Sequence, residues 1–157
     1  MAANKDHSQN LAAFTECLKS WKVYNDQGAN LLAQINLDDD SNHQENARQI
    51  KDIVQNLKQV LETMHEKYNE SLVLHSLQQT AAQSDITVDG PECIETMRKC
   101  IDMHEQEYMI KKSIQSILCQ EGFATRQHLT GCIALWKTEA YLDDEVQEKL
   151  RQLSGPS

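Results

Sequence analysis

Two His-Glu pairs, His65-Glu66 and His104-Glu105, open like the zinc-protease motif HExxH. In that motif two histidines one helical turn apart hold the metal and the glutamate acts as base. The positions four beyond each histidine are Asn69 and Tyr108, so the second ligand is missing. Both histidines are therefore expected to be solvated or half-buried helix residues. The run Asp38-Asp39-Asp40 could face a hard cation, but a calcium loop needs spaced ligands and a glycine. It reads instead as a solvated helix stop. The chain has no Gly-rich phosphate loop and no nucleophile elbow, and no cysteine and histidine are picked out as a nucleophile and its base. Neither a catalytic centre nor a metal or cofactor site is expected.

Other residues offer contact rather than chemistry. Glu107 and Lys111 stand four apart in the favourable order for a helix pair, worth about 0.2–0.5 kcal/mol at a surface. Together with Lys112 they could form a charged patch offered to a partner protein. Trp21 and Trp136 are the largest apolar side chains. Burying about 200 Å² of either is worth on the order of 5 kcal/mol gross, enough to anchor a core or an interface. The core is the expected place for both. Tyr141 is expected to be exposed.

The elements that must position these residues are helices. From Leu11 to Ile35, Leu11, Phe14, Leu18, Trp21, Leu32 and Ile35 trace one apolar seam at alternating steps of three and four. Asn25 and Gly28 interrupt that seam. Gly28 costs about 1 kcal/mol against alanine inside a helix, and a buried Asn25 without a partner roughly 1–3 kcal/mol. Both are expected to mark a specific contact, either with a partner helix or inside this chain's own bundle. Asp6 with Gln9 is a candidate capping pair for this helix, which should end near Leu37 in the acidic run.

A second helix, opened by a capping box at Ser41 to Gln44, carries Ala47, Ile50, Val54, Leu57, Leu61, Met64 and Tyr68 and should reach about Gln83. The short turn between the two makes an antiparallel hairpin. Residues 84–91 read as a linker, and Pro91 suits the first turn of a third helix. Ile94, Met97, Ile101, Tyr108, Ile114, Ile117 and Leu118 form its apolar seam. Gly122 should end it in a left-handed conformation, with Phe123 covering Leu118 in a Schellman arrangement. Thr125 can cap a fourth helix and Asp143 or Asp144 a fifth. The expected architecture is all-α: an elongated bundle of about five helices in one domain. Its parts are a long hairpin over 1–83, the linker, and C-terminal helices over 92–157 that pack on the hairpin.

Composition sets the outer limits. Of 157 residues 39% are hydrophobic but only 5% aromatic, so a thin aliphatic core is expected, short of self-sufficiency. Five glycines and two prolines leave few helix breakers. A net charge of −9 with no basic stripe argues against direct nucleic-acid binding. No apolar run is long enough for a membrane helix, and the polar start lacks the apolar segment of a secretory signal. Five cysteines without a CxxC read as reduced, buried hydrophobes of a nuclear or cytoplasmic protein.

Two stretches carry a family resemblance. One is Trp21-Lys22-Val23-Tyr24-Asn25-Asp26-Gln27-Gly28-Ala29-Asn30; the other runs from Glu107 through Lys111-Lys112 to Trp136 and Tyr141-Leu142. Their order and spacing resemble the cyclin-dependent kinase 2-interacting protein family. Ala140 departs from it, standing where the family has proline before Tyr. The resemblance implies a helical adaptor of genome maintenance with no catalysis of its own. Its implied partners are a helical subunit and a pair of valosin-like AAA+ ATPases, a replication kinase such as the cyclin-dependent kinase, and, separately, the ATR-interacting protein. The implied processes are DNA replication, the DNA-damage checkpoint, ribosome maturation and replisome turnover. The implied interaction residues are Trp21, Asn25, Asp26, Gly28, Glu107, Lys111, Lys112, Trp136 and Tyr141. The competing expectation is a structural coiled-coil subunit of a spindle or kinetochore assembly.

Overall fold

In a computed structural model, which describes residues 2–81 and 89–154, every regular element is helical. The five α-helices are α1 (Ala2–Ala33), α2 (His43–Ala81), α3 (Asp89–Gln120), α4 (Arg126–Thr138) and α5 (Asp144–Leu153). A 3-10 turn at Asp40–Asn42 precedes α2.

α1 begins before Asp6, which therefore lies inside the helix instead of capping it. It also stops short of Leu37. The N–H groups of Gln34 and Ile35 donate three residues back, to the carbonyls of Leu31 and Leu32 at 3.2 Å, which tightens the last turn. Two side chains then hold the reversal: the Asn36 side chain accepts from the Asp38 N–H at 3.0 Å, and Asp39 from the Ser41 N–H at 3.0 Å. Local capping of this kind, rather than repulsion between the aspartates and the helix dipole, makes the stop. The expected capping role of Ser41 thus belongs to Asp39.

The hairpin is antiparallel. Gln9 and Asn10 of α1 share a groove with Glu66 and Asn69 of α2, while Asn30 and Gln34 share one with Arg48 and Gln49. α3 runs back along α2, with Glu105 against His65 and Cys119 donating to the Ala47 carbonyl at 3.9 Å. The expected linker is shorter at its C-terminal end, because Asp89 and Gly90 already belong to α3. Residues 82–88 lie outside the described residues.

Gly122 has the expected left-handed conformation, with φ of 74°. Its N–H reaches back five residues to the Ile117 carbonyl at 2.7 Å, two carbonyls earlier than the Cys119 acceptor of a Schellman arrangement. Phe123 joins the core there, near Leu118. Thr125 caps α4 by accepting from the His128 N–H at 3.0 Å, and Asp143 caps α5 by accepting from the Glu145 N–H at 2.9 Å.

α4 and α5 together form the fourth arm of an up-down-up-down bundle. α4 starts beside the end of α3 and brings Trp136 to Asn25 and Gly28 of α1. α5 continues in the same sense: the Asp143 N–H donates to the Met103 sulfur at 3.2 Å, and Lys149 pairs with Glu92 at 2.6 Å. The arm is broken at its middle, residues 139–143.

The core runs the length of the bundle, from Leu11 and Phe14 through Leu57 and Met97 to Leu118 and Leu150, with both tryptophans inside. It is fuller than the low aromatic content suggested. Cys17, Cys93, Cys100 and Cys132 are buried, whereas Cys119 is exposed, against the expectation for all five. The α3 seam also differs from the expected one. Tyr108 is only partly buried, and the inward positions are His104, Glu107 and Lys111. Three consecutive polar residues in a core seam require partners: the broken arm supplies those of Glu107 and Lys111, whereas His104 bonds to the Cys100 carbonyl of α3 itself.

Candidate functional site

A helix that ends inside a protein leaves its last carbonyls without intrahelical donors, and they carry the negative end of the helix dipole. At the end of α4 the Trp136 carbonyl is such a group. Lys111 reaches it from α3, donating from Nζ at 2.8 Å. The same ammonium lies 3.5 Å from Glu139 Oε2, 3.9 Å from Glu107 Oε1 and 4.7 Å from the centre of the Trp136 ring. The Glu107 contact is an ion pair beyond hydrogen-bond reach. The other oxygen of Glu107 accepts from the Tyr141 N–H at 2.9 Å. The i, i+4 pair therefore clamps both sides of the break, one residue on a carbonyl before it and the other on an amide after it.

Glu139 sits at the break in a left-handed conformation, φ 47° and ψ 56°, the sole non-glycine residue with positive φ among those described. That backbone state costs roughly 1–2 kcal/mol for an L-residue other than glycine or asparagine. The turn directs its carboxylate inward, where Oε2 accepts from Trp21 Nε1 at 2.7 Å. The second tryptophan completes the join. Trp136 Nε1 donates to the Asn25 carbonyl at 2.8 Å, and its ring lies on Gly28. A Cβ at Gly28 would stand 2.1 Å from Trp136 Cζ2, closer than any side chain permits. Here glycine provides close approach.

Burial governs the electrostatics. It pulls the Lys111 ammonium below the ordinary lysine range, while Glu139 and Glu107 pull it back up. Glu139 is pushed above the usual carboxylate range by burial, with Lys111 and the Trp21 hydrogen bond opposing. His104 is held down at about 4 by burial, against the hydrogen bond to Cys100 and with the help of Lys111. Its ring stands edge-on to Trp21, centroids 4.9 Å apart. Nδ1 donates to the Cys100 carbonyl at 2.7 Å, one turn back. Cys100 is thus a neighbour of this histidine, with Sγ 3.6 Å from the same nitrogen, but burial pushes its thiol up to about 12. A thiol of that kind is a poor nucleophile.

Of the expected interaction residues, Trp21, Asn25, Gly28, Glu107, Lys111 and Trp136 converge on this one join, and all are buried. The reading of Glu107 and Lys111 as a surface pair or an offered patch is corrected, since both are 0% exposed. His104, expected to be solvated or half-buried, is 1% exposed. The reason is the fourth arm, which covers that stretch of α3. Asp26 lies in an adjoining open cleft of about 480 Å³ that also borders Trp21 and Glu139. Lys112 faces outward, and Tyr141 is half-exposed although its N–H is engaged.

Glu139 is the residue that sequence reasoning missed. Its type gives no sign of a left-handed break; the weak sign was the loss of helical pattern after Lys137. The cluster's ionisable groups are committed to backbone and to one another. It acts as a clasp on the fourth arm.

Among the described residues no group of three or more His, Cys, Asp or Glu side chains is placed to hold a metal ion. None of the helices described is long and apolar enough to cross a membrane. Comparison of the chain with family models, curated proteins and solved structures finds no match.

Proposed function

We propose that the protein is a helical adaptor subunit that performs no chemistry itself and presents helix faces to other proteins. The observation that carries this reading is the commitment of the buried ionisable groups. Lys111 serves the Trp136 carbonyl, Glu107 the Tyr141 amide and Glu139 the Trp21 indole. The place where acids and bases converge is thus used to hold the arm. Large apolar side chains stand at the surface meanwhile, Val73 at 58%, Met109 at 63% and Leu135 at 56% among them. Exposed aliphatic residues on rigid helices suit association with other helices.

The resemblance to the cyclin-dependent kinase 2-interacting protein family makes the reading specific. By it, the partners are a helical subunit and a valosin-like AAA+ ATPase pair, in replication, checkpoint signalling and ribosome maturation. Trp21, Asn25, Gly28, Glu107, Lys111 and Trp136 then shape the subunit, while Asp26, Lys112 and Tyr141 remain available to touch a partner. A spindle or kinetochore coiled-coil subunit is the weaker reading, because a broken fourth arm ill suits a continuous supercoil.

Affinity-tagged full chain, recovered from nuclear and cytoplasmic extract, tests this. AAA+ ATPase subunits identified by mass spectrometry, with reduced recovery for K112E/Y141A, are the expected result. Spindle or kinetochore subunits in their place, or unaided turnover of a small molecule by the pure chain, would overturn it.

A further inference from the structure

An open groove of about 1080 Å³ lies between the N-terminal half of α1 and the C-terminal half of α2, and its polar groups behave unlike those of the clasp. Asn10 and Ala13 form one wall; Glu62, Glu66, Asn69 and Val73 line the other. On α2 these four fall at i, i+4, i+7 and i+11, a straight stripe roughly 16 Å long. All four are exposed. The two basic groups that line the groove among the described residues are already engaged, Lys67 with Glu70 at 3.3 Å and His65 with Glu105 of α3. Among the described residues, Glu62 and Glu66 find neither an ion-pair nor a hydrogen-bond partner to use up their charge.

Two carboxylates one turn apart, in line with an exposed valine, define what fits beside them. The complement is a helix with aliphatic residues on one face and cations one turn apart on its flank. A second copy of this chain is a poor occupant, because each copy carries a net charge of −9. We propose that the groove receives an amphipathic basic helix of a partner protein. Its aliphatic face lies on Ala13 and Val73, and its Lys or Arg residues meet Glu62 and Glu66. This proposal rests on the adaptor reading and names the surface that reading requires.

Two fluorescein-labelled 15-residue helical peptides test it by anisotropy against the full chain. Both carry a leucine face; one has lysines at i, i+4 on its flank and the other has glutamates there. The lysine peptide is expected to bind at least tenfold more tightly at low salt. In E62K/E66K the preference should reverse, and Val73→Asp should weaken both peptides. Circular dichroism verifies that each variant is folded. Equal binding of the two peptides, or a preference that E62K/E66K leaves unchanged, overturns the proposal. So does undiminished recovery of partner subunits from extract by that folded variant, an outcome that leaves the adaptor reading standing. A wild-type chain that recovers no partner subunit overturns the adaptor reading instead, whatever the peptides do.

Discussion

The clasp at the middle of the bundle and the groove at the open end of its hairpin use the same residue types in opposite ways. In the clasp, Glu107 and Lys111 are four apart on one helix and fully buried, each bonded to the backbone of another segment. In the groove, Glu62 and Glu66 are also four apart on one helix, yet exposed and, among the described residues, without a paired cation. Identical spacing thus yields a structural part in one place and a free charged surface in the other. The difference is whether another segment covers the helix face.

If the clasp is structural, the greatest loss should come from unbalancing it. Lys111→Ala leaves two buried carboxylates and an orphaned carbonyl, and should cost about 3–5 kcal/mol of unfolding free energy. Urea denaturation followed by circular dichroism measures this. A loss below 1 kcal/mol would mean that the arm is held by apolar packing alone.

Acid should open the same region. The folded state holds His104 neutral with a pKa of about 4, against an ordinary value of 6.5. Between those values the unfolded chain binds the extra proton, so stability falls as pH drops from 6.5 toward 4. The full effect is about 3 kcal/mol. Stability measured across that window should show the slope, and His104→Leu should flatten it. Glu139 acts in the opposite sense: with its folded pKa raised, its contribution is present below the ordinary carboxylate range and is lost as pH rises through the raised value.

Gly28→Ala should follow, at about 1–3 kcal/mol, because the added methyl must displace the Trp136 ring. Pairing it with Trp136→Leu should recover part of the loss, a coupling that a double-mutant cycle reads directly. The smallest effect belongs to the groove. Glu62→Gln with Glu66→Gln should leave the denaturation midpoint where it is, since neither side chain bonds to the rest of the fold. A marked shift would assign the groove to the structure and erase the contrast.

Much of this was legible from local rules. Thr125, Asp143 and Gly122 act within a few residues, and each was marked by type and position. Asn25 and Gly28 stood out as breaks in a regular seam, and Trp136 meets α1 there. The rest depended on distant segments. The i, i+4 relation of Glu107 to Lys111 says nothing about burial, which is decided by residues 136–141. Glu139 adopts its left-handed turn because Trp21 and Lys111 receive its carboxylate, one 118 positions away in sequence and the other 28. No propensity encodes that.

Both tryptophans of this chain lie at the break in the fourth arm, one bonded to Glu139 and the other seated on Gly28. Their emission is therefore a built-in gauge of whether that arm is docked. The hairpin groove contains no tryptophan, so a ligand arriving there goes unseen by the same light unless it also disturbs the arm.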